Sequence, residues 1–249
     1  MISHKLYNNY LEGGHVDVWK EISFLEFDKM EKEEQSVVNR IIQEVLFRVD
    51  YNIKVVFDIY NRNEFELKDF GNINSFKKSY LLRNQSNYEK MIAEFVSSNE
   101  LAGKVPLFFA SFSVFFRVVD FRGTFGTFKV DFLLDSLFIE TADSVEDLNE
   151  RTFEIIYNGE FVFGCMFSPD QFIKENASGD LGPCILLNKN TLVDNFVGNY
   201  SEDMPMTFIE YLRFCFHWAC MPNLFWASDI EREPFLPILE EVRQSIKLF

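Results

Sequence analysis

The sequence lacks a hydrophobic stretch long enough to cross a membrane as a helix. Its most apolar run, VPLFFASFSVFF from Val105 to Phe116, is shorter than the roughly 20 residues that a spanning helix needs. The N-terminal segment MISHKLYNNYLEGGHV also lacks the apolar core of a signal peptide. The sequence therefore predicts a cytoplasmic protein with no membrane partner.

Cysteine and histidine are scarce and show no grouping suited to metal binding or catalysis. No two cysteines form a CxxC pair, and two of the three histidines lie within the first fifteen residues. Metal sites and Ser-His-Asp triads need several such groups together. We therefore expect buried, free thiols, with no metal ion and no cofactor; the alternative is a single disulfide or metal site. The cysteines are Cys165, Cys184, Cys215 and Cys220.

Basic residues are outnumbered by acidic ones, 24 against 39, which leaves a formal net charge of −15. A field of this sign repels nucleic acid and anionic membranes, and it speeds encounter with basic proteins. We therefore expect a basic protein partner and no nucleic acid. Solubility alone is the competing explanation of the charge. The paired carboxylates, as in EKEE and DSVED, lie in polar stretches, which do not favour the raised pKa of a general acid.

Aromatic residues are abundant: the chain has 30 phenylalanines, and 17% of its residues are aromatic. With 47% apolar residues over 249 positions, it can bury a substantial core. Helical patterns come first, strand patterns follow, and helices return near the C-terminus. That order predicts an α+β fold with an antiparallel, aromatic-rich sheet flanked by N-terminal and C-terminal helices. We expect a single domain over residues 1–249; the alternative is an N-terminal helical lobe, 1–104, packed on a sheet-plus-helix part, 105–249.

Local patterns predict individual elements. Apolar residues at helical spacing predict helices over residues 28–50 and 86–98, the second opening with a Ser86–Glu89 capping box. The segment RGTFG, residues 122–126, is expected to be a turn, because its glycines lack the rest of a phosphate-binding loop. Runs rich in aromatic and β-branched residues predict strands over residues 52–60, 107–121, 127–139 and 184–187.

The segment TFEIIYNGEFVFGCMF, residues 152–167, carries a hairpin signal. Asn158 and Gly159 stand between two apolar runs, and a type I′ turn needs positive φ at both of its central positions. Alternation along the second strand places Cys165 among aromatic side chains. A short helix capped by Ser168 is expected next.

The segment TFIEYLRFCFHWACMPNLF, residues 207–225, predicts a mostly buried helix. Thr207 and Glu210 match a capping box, and Pro222 is expected to end the helix. Glu210, Arg213 and His217 share one narrow polar stripe. Arg213, one turn away, is expected to lower the pKa of His217. We expect a hydrogen-bonded structural seam; the alternative is a ligand or partner contact, and no catalytic residue is assigned.

Two C-terminal blocks, FSPDQFIKENASGDLGP and TFIEYLRFCFHWACMPNL, follow a known pattern over about 60 residues. They resemble bacterial proteins of the SUKH type, which are cell-wall-assembly regulators and toxin-immunity proteins. The family pattern has an S/T-F-V/I-x-Y-L-R helix, a Trp position and then GGFPG, where this chain has ACMPN. The matching residues are Ser168, Pro169, Asp170, Lys174, Asn176, Ser178 and Gly179 in the first block, and Thr207, Phe208, Ile209, Tyr211, Leu212, Arg213, Trp218 and Pro222 in the second.

The resemblance implies an α+β fold and a protein-binding role, commonly the neutralisation of a cognate toxin, and it implies no cofactor. With the acidic charge, it leads to the hypothesis of a cytoplasmic, non-catalytic immunity protein that covers the basic cleft of a toxin. One alternative is a general regulatory or scaffold protein of the same fold. Another is an enzyme with an unrecognised site around Glu210, Arg213 and His217.

Overall fold

Helices and antiparallel strands both occur in the part of the chain that the computed structural model describes, in agreement with the predicted α+β class. This part covers residues 2–67, 90, 93–94, 97, 105–115, 119–120, 123–125, 138–139, 152–157, 160–166, 184–187, 190–198, 206–225 and 227–249. The helices are α1 (His4–Leu11), α2 (His15–Ile22), α3 (Lys32–Arg62), α4 (Leu107–Phe115), α5 (Phe208–His217), α6 (Asp229–Arg232) and α7 (Leu236–Ser245). The strands are β1 (Phe65–Leu67), β2 (Val119–Asp120), β3 (Gly123–Phe125), β4 (Phe138–Ile139), β5 (Thr152–Tyr157), β6 (Glu160–Met166), β7 (Cys184–Leu186), β8 (Phe196–Gly198) and β9 (Met206–Thr207).

The helix predicted over residues 28–50 is longer than its pattern suggested. α3 has 31 residues, begins with a capping box between Glu31 and Glu34, and continues through the segment predicted as a strand. The strand prediction for residues 52–60 is wrong, because this segment keeps the helical period and packs its apolar side into the core. The buried apolar side chains that continue the period are Ile53, Val56, Phe57 and Tyr60.

The aromatic run at residues 107–121 begins as helix α4 and only then becomes strand β2, so the predicted strand is wrong over most of the run. On α4, Phe108 and Phe112 lie one turn apart. Both rings pack against Phe208 of α5, with centroids 5.5 and 5.3 Å away. A short apolar run cannot be assigned to a helix or a strand by periodicity alone, and here the packing against α5 favours the helix.

Strands β5 to β9 form a five-stranded antiparallel sheet in sequence order. β5 and β6 pair with Tyr157 opposite Glu160, which is the register of the predicted hairpin; its turn residues lie outside the described residues. β7 confirms the strand predicted over residues 184–187. The turn expected at RGTFG is wrong for its central part, because Gly123 pairs opposite Leu67 as β3 joins β1 in a separate two-stranded sheet.

Helix α5 begins at the predicted capping box and ends before the predicted proline. A Schellman motif closes it: the Cys220 N–H donates to the Cys215 oxygen at 2.8 Å, and the Ala219 N–H donates to the Phe216 oxygen at 3.0 Å. Ala219 and Cys220 have φ of 52° and 60°, a left-handed backbone that cannot continue the helix. The helix therefore ends at His217, ahead of Pro222.

Helix α3 contacts elements from both ends of the chain. The Tyr7 ring of α1 lies 4.1 Å from the Arg40 guanidinium carbon. Arg62 forms an ion pair of 2.8 Å with Glu241 of α7. The Arg62–Glu241 ion pair joins residues on both sides of position 104, while the division of the chain into two parts stays a prediction.

Several predicted features lie outside the described residues. Of the helix predicted over residues 86–98, Lys90, Ala93, Glu94 and Ser97 are described, and all four are helical. The Ser86–Glu89 capping box, the helix capped by Ser168, the side chain of Cys165 and most of the strand predicted over residues 127–139 are not among the described features.

Candidate functional site

The three polar residues predicted to form one stripe on α5 have different partners, and the first of them caps the helix. Glu210 Oε2 accepts hydrogen bonds from Thr207 N at 2.8 Å and from Thr207 Oγ1 at 3.1 Å. The Glu210 N–H in turn donates to Thr207 Oγ1 at 3.4 Å. This reciprocal arrangement satisfies main-chain groups at the start of the helix. The Glu210 carboxylate therefore has a structural role.

Arg213 is half-buried and faces Phe249. Its Nε donates a hydrogen bond to the main-chain oxygen of Phe249, and its Nη2 donates to the main-chain oxygen of His15 at 3.3 Å. Burial lowers the pKa of Arg213, but a guanidinium stays charged because its ordinary pKa lies far above neutrality. Arg213 therefore joins three segments that are distant in sequence.

His217 lies at the exposed end of α5, beside Trp218, with ring centroids 5.5 Å apart. Partial burial, followed by the charge of Arg243, lowers the pKa of His217. The predicted direction is confirmed, but the cation is Arg243 of α7 and not Arg213. Arg243 Nε donates to the main-chain oxygen of His217 at 2.9 Å. Its guanidinium carbon also lies 5.4 Å from the Trp218 ring, and that of Arg232 lies 5.3 Å from it. His217 therefore belongs to an arginine and aromatic surface.

The described thiols are buried. Cys215 and Cys220 are inaccessible to solvent, and burial raises the pKa of both. A raised pKa keeps a thiol protonated, whereas nucleophilic attack and metal binding need the thiolate. Cys184 is also buried. The prediction of buried, free thiols is confirmed for Cys215 and Cys220.

A buried polar cluster, absent from the sequence-based predictions, lies where α1, α2, α3 and α5 meet. His15 is 7% exposed, and its Nε2 lies 3.0 Å from Arg48 Nη1. The Tyr10 ring meets the imidazole edge-on, with centroids 4.7 Å apart. Arg48 Nε donates to Glu44 Oε1 at 2.8 Å. These residues come from separate segments, so no local pattern in the sequence points to the cluster.

A second group that the sequence did not reveal is the buried carboxylate of Asp194. Its Oδ2 accepts hydrogen bonds from Trp19 Nε1 at 2.8 Å and from Ile209 N at 3.2 Å. Its Oδ1 accepts from Asn195 N at 2.8 Å. Burial raises the pKa of Asp194 to about 6, although these hydrogen bonds act in the opposite direction. The carboxylate lies at the N-terminus of α5, where the helix dipole favours negative charge.

Exposed apolar side chains stand among acidic residues in α2 and in the chain that follows it. Val16, Phe24 and Leu25 have exposed fractions of 47%, 46% and 38%. Residues 16–34, called the 16–34 segment below, contain seven acidic and three basic residues. Apolar side chains within a surplus of carboxylates are suited to contact with a basic protein surface.

The backbone of the 16–34 segment is held in place where these side chains project. The Val193 N–H donates to the Leu25 oxygen at 3.1 Å, and the Asp194 N–H donates to the Ser23 oxygen at 2.8 Å. The Phe24 ring packs against Phe196 of β8, with centroids 4.8 Å apart. The exposed side chains therefore project from an ordered backbone.

An open groove of about 490 Å³ runs along α3, and it contains none of the three residues of the α5 stripe. It is lined by Tyr7, Lys32, Gln35, Ser36, Asn39, Arg40, Gln43, Glu44 and Phe47. Its lining carries charges of both signs, so it favours neither an anionic nor a cationic ligand.

The described residues contain neither a cluster of metal ligands nor a membrane-spanning helix. Within the described residues, no three histidine, cysteine, aspartate or glutamate side chains group in a way that could hold a metal ion. In the same part of the chain, every helix is too short or too polar to cross a bilayer. No protein-family model, curated protein or solved structure matches this chain.

Proposed function

We propose that this chain is a non-catalytic protein-binding module, and more specifically an immunity-type protein that acts in the cytoplasm by covering the basic active cleft of a cognate toxin. The observation that carries the proposal is the 16–34 segment, where exposed apolar side chains stand among surplus carboxylates on an ordered backbone. The net charge of −15 supports a basic partner, because opposite charges speed encounter and align the two surfaces.

Phe24 and Leu25 are the apolar anchors in this proposal. A few well-packed side chains usually supply most of the binding energy of an interface, while charges around them set the rate of encounter. The contact of Phe24 with Phe196 restricts the exposed ring before binding. Less conformational entropy is then lost when a partner covers it.

The end of α5 supports the relationship to SUKH-type proteins. The family pattern has two glycines where this chain has Ala219 and Cys220, and both residues take the left-handed backbone that favours glycine. Ala219 and Cys220 therefore adopt the backbone conformation that the two glycines of the family pattern would favour. The finer fold expectation, an aromatic-rich antiparallel sheet flanked by N-terminal and C-terminal helices, belongs to the same proposal.

Two other functions stand beside this one as alternatives. A regulatory or scaffold protein would use the same surface with an endogenous partner. An enzyme would use Glu210, Arg213 and His217, but Glu210 caps its helix and Arg213 binds the main chain of Phe249. These contacts favour the binding function.

The proposal is tested by co-expression with the product of the adjacent upstream gene. We expect that product to be toxic alone, harmless with this chain, and co-purified with it. A double variant, Phe24→Ser with Leu25→Ser, should weaken the complex at least about tenfold, since each anchor contributes on the order of 1 kcal/mol. Ile230→Ser, at an 83% exposed residue of α6, is the matched control and should bind as the wild type does.

Two outcomes separate the parts of the proposal. A neighbour that is neither toxic nor bound would contradict the immunity function. A complex that survives the double variant unchanged would contradict the assignment of the 16–34 segment as the binding surface.

A further inference from the structure

Residues 246–249 follow α7, with an extended backbone at Ile246, and are held by side chains of α3 and α5. Asn52 exchanges two hydrogen bonds with the main chain of Lys247, Nδ2 donating to the oxygen at 2.8 Å and Oδ1 accepting from the N–H at 2.7 Å. Arg48 Nη1 donates to the Leu248 oxygen at 2.8 Å. Arg213 Nε donates to the Phe249 oxygen. All four bonds are made to main-chain atoms, so the side chains hold the backbone of this segment.

The two last side chains of the segment differ in burial. Phe249 is 4% exposed and meets Phe216 of α5 edge-on, with ring centroids 5.7 Å apart. Leu248 is 73% exposed. One aromatic side chain therefore anchors the segment in the core, and the two arginines hold the main chain on either side of that anchor.

His15 contacts both of these arginines. Its Nε2 lies 3.0 Å from Arg48 Nη1, and its main-chain oxygen accepts from Arg213 Nη2 at 3.3 Å. A guanidinium can only donate hydrogen bonds, so Nε2 must accept with its lone pair. The imidazole is therefore neutral in this arrangement and carries its proton on Nδ1.

The groups that face His15 come from three helices. Tyr10 of α1 contributes its ring edge, and burial raises the pKa of its hydroxyl, which leaves it uncharged. Glu44 and Arg48 come from α3 and are bound to each other at 2.8 Å, while Arg213 comes from α5. Two cations thus face the imidazole, and the one carboxylate among these groups is already paired.

We propose that His15 is an acid-sensitive latch for residues 246–249. A proton taken up at Nε2 removes the acceptor of the Arg48 hydrogen bond and places a third positive charge between Arg48 and Arg213. These are the two guanidiniums that hold the oxygens of Leu248 and Phe249. Electrostatic repulsion then displaces the two guanidiniums, and residues 246–249 detach. The surface of Phe216 beneath Phe249 becomes accessible.

The direction of the pH dependence follows from the surroundings of His15. Burial, followed by Arg48 and Arg213, lowers the pKa of His15, and Glu44 acts in the opposite direction. The folded chain therefore favours the neutral imidazole. The contribution of His15 to folding stability is fully present above its ordinary pKa of about 6.5. It is lost as the pH falls through the lower pKa that His15 has in the folded chain.

Hydrogen exchange of the whole chain, measured by mass spectrometry at pH 7.5 and 5.0 and corrected for the intrinsic pH dependence of exchange, tests the latch. We expect protection of residues 246–249 to fall on acidification, by up to about tenfold for each unit by which the pKa of His15 is lowered. In His15→Gln, whose amide oxygen can accept from Arg48 without titrating, protection should not change. His4→Gln and His217→Gln should behave as the wild type does.

Equal protection of the wild type at both pH values would overturn the latch, and so would an acid-induced loss that persists in His15→Gln. If that variant does not fold, nitrogen NMR of the His15 imidazole in the wild type replaces it. Nε2 should be unprotonated at pH 7.5 and should titrate with the same midpoint as the loss of protection. A proton on Nε2 at pH 7.5, or a different midpoint, would contradict the proposal.

Discussion

The indole nitrogen of Trp19 donates a hydrogen bond of 2.8 Å to the carboxylate of Asp194, a residue 175 positions away in sequence. The same carboxylate oxygen accepts from the Ile209 N–H at the start of α5. One buried acidic side chain therefore joins α2 to α5. It also fixes the start of the helix that carries the predicted polar stripe.

Replacing Asp194 by asparagine should change the pH dependence of folding. Because the pKa of Asp194 is raised from 3.8 to about 6, its contribution to stability is fully present below 3.8 and is lost as the pH rises through about 6. The free energy of unfolding of the wild type, relative to Asp194→Asn, should therefore rise by about 2 kcal/mol from pH 7.5 to 4.5. Urea unfolding at the two pH values measures it.

The matched control for this prediction is Asp28→Asn, at an exposed carboxylate. His15 acts in the opposite direction but is present in all three chains, so its effect cancels in the difference. A difference between wild type and Asp194→Asn that does not vary with pH would mean that the carboxylate titrates normally despite its burial.

The left-handed backbone at Ala219 should make this position intolerant of β-branched residues. Ala219→Val should cost about 1–2 kcal/mol more than Ala227→Val, since both alanines are buried but only Ala219 has positive φ. Ala219→Gly should lie within about 1 kcal/mol of the wild type, because relief of strain offsets the loss of a buried methyl group. Chemical unfolding of the three variants measures both effects. Equal costs for the two valine variants would contradict the argument.

The capping role of Glu210 predicts a difference between two substitutions. Glu210→Ala should lower the free energy of unfolding by about 1 kcal/mol, whereas Glu210→Gln should stay close to the wild type, because glutamine also fits a capping box with Thr207. Thermal unfolding compares the two. Equal losses would show that the charge of Glu210 matters more than its hydrogen bonds.

The features that depend on residues close in sequence were predicted correctly from the sequence. The Thr207–Glu210 capping box and the pairing of Tyr157 opposite Glu160 were both predictable, because caps and tight hairpins depend on residues at most a few positions apart. The helix predicted over residues 28–50, which begins at Lys32 in the structure, was predictable for a related reason, since its apolar spacing spans several turns. In each case the determining contacts are close in sequence.

Sequence reasoning failed where a distant neighbour decided the conformation. Residues 52–60 and 107–115 are rich in β-branched or aromatic residues, yet both are helical. Phe108 and Phe112 pack on Phe208, and Asn52 binds the main chain of Lys247. Intrinsic strand preference amounts to about 1 kcal/mol or less at a position, so burial against another helix outweighs it.

The amino-acid sequence by itself determined the acidic charge, the aromatic content, the hairpin and the start of α5. Only the tertiary structure decided what the polar residues do. In the folded chain, Glu210 caps α5 and Arg213 binds the main chain of Phe249. Asp194 and His15 are buried among partners from other segments. The physical reason is that hydrogen bonds to buried charges and imidazoles are made across segments, and no spacing along the chain encodes which segments will meet.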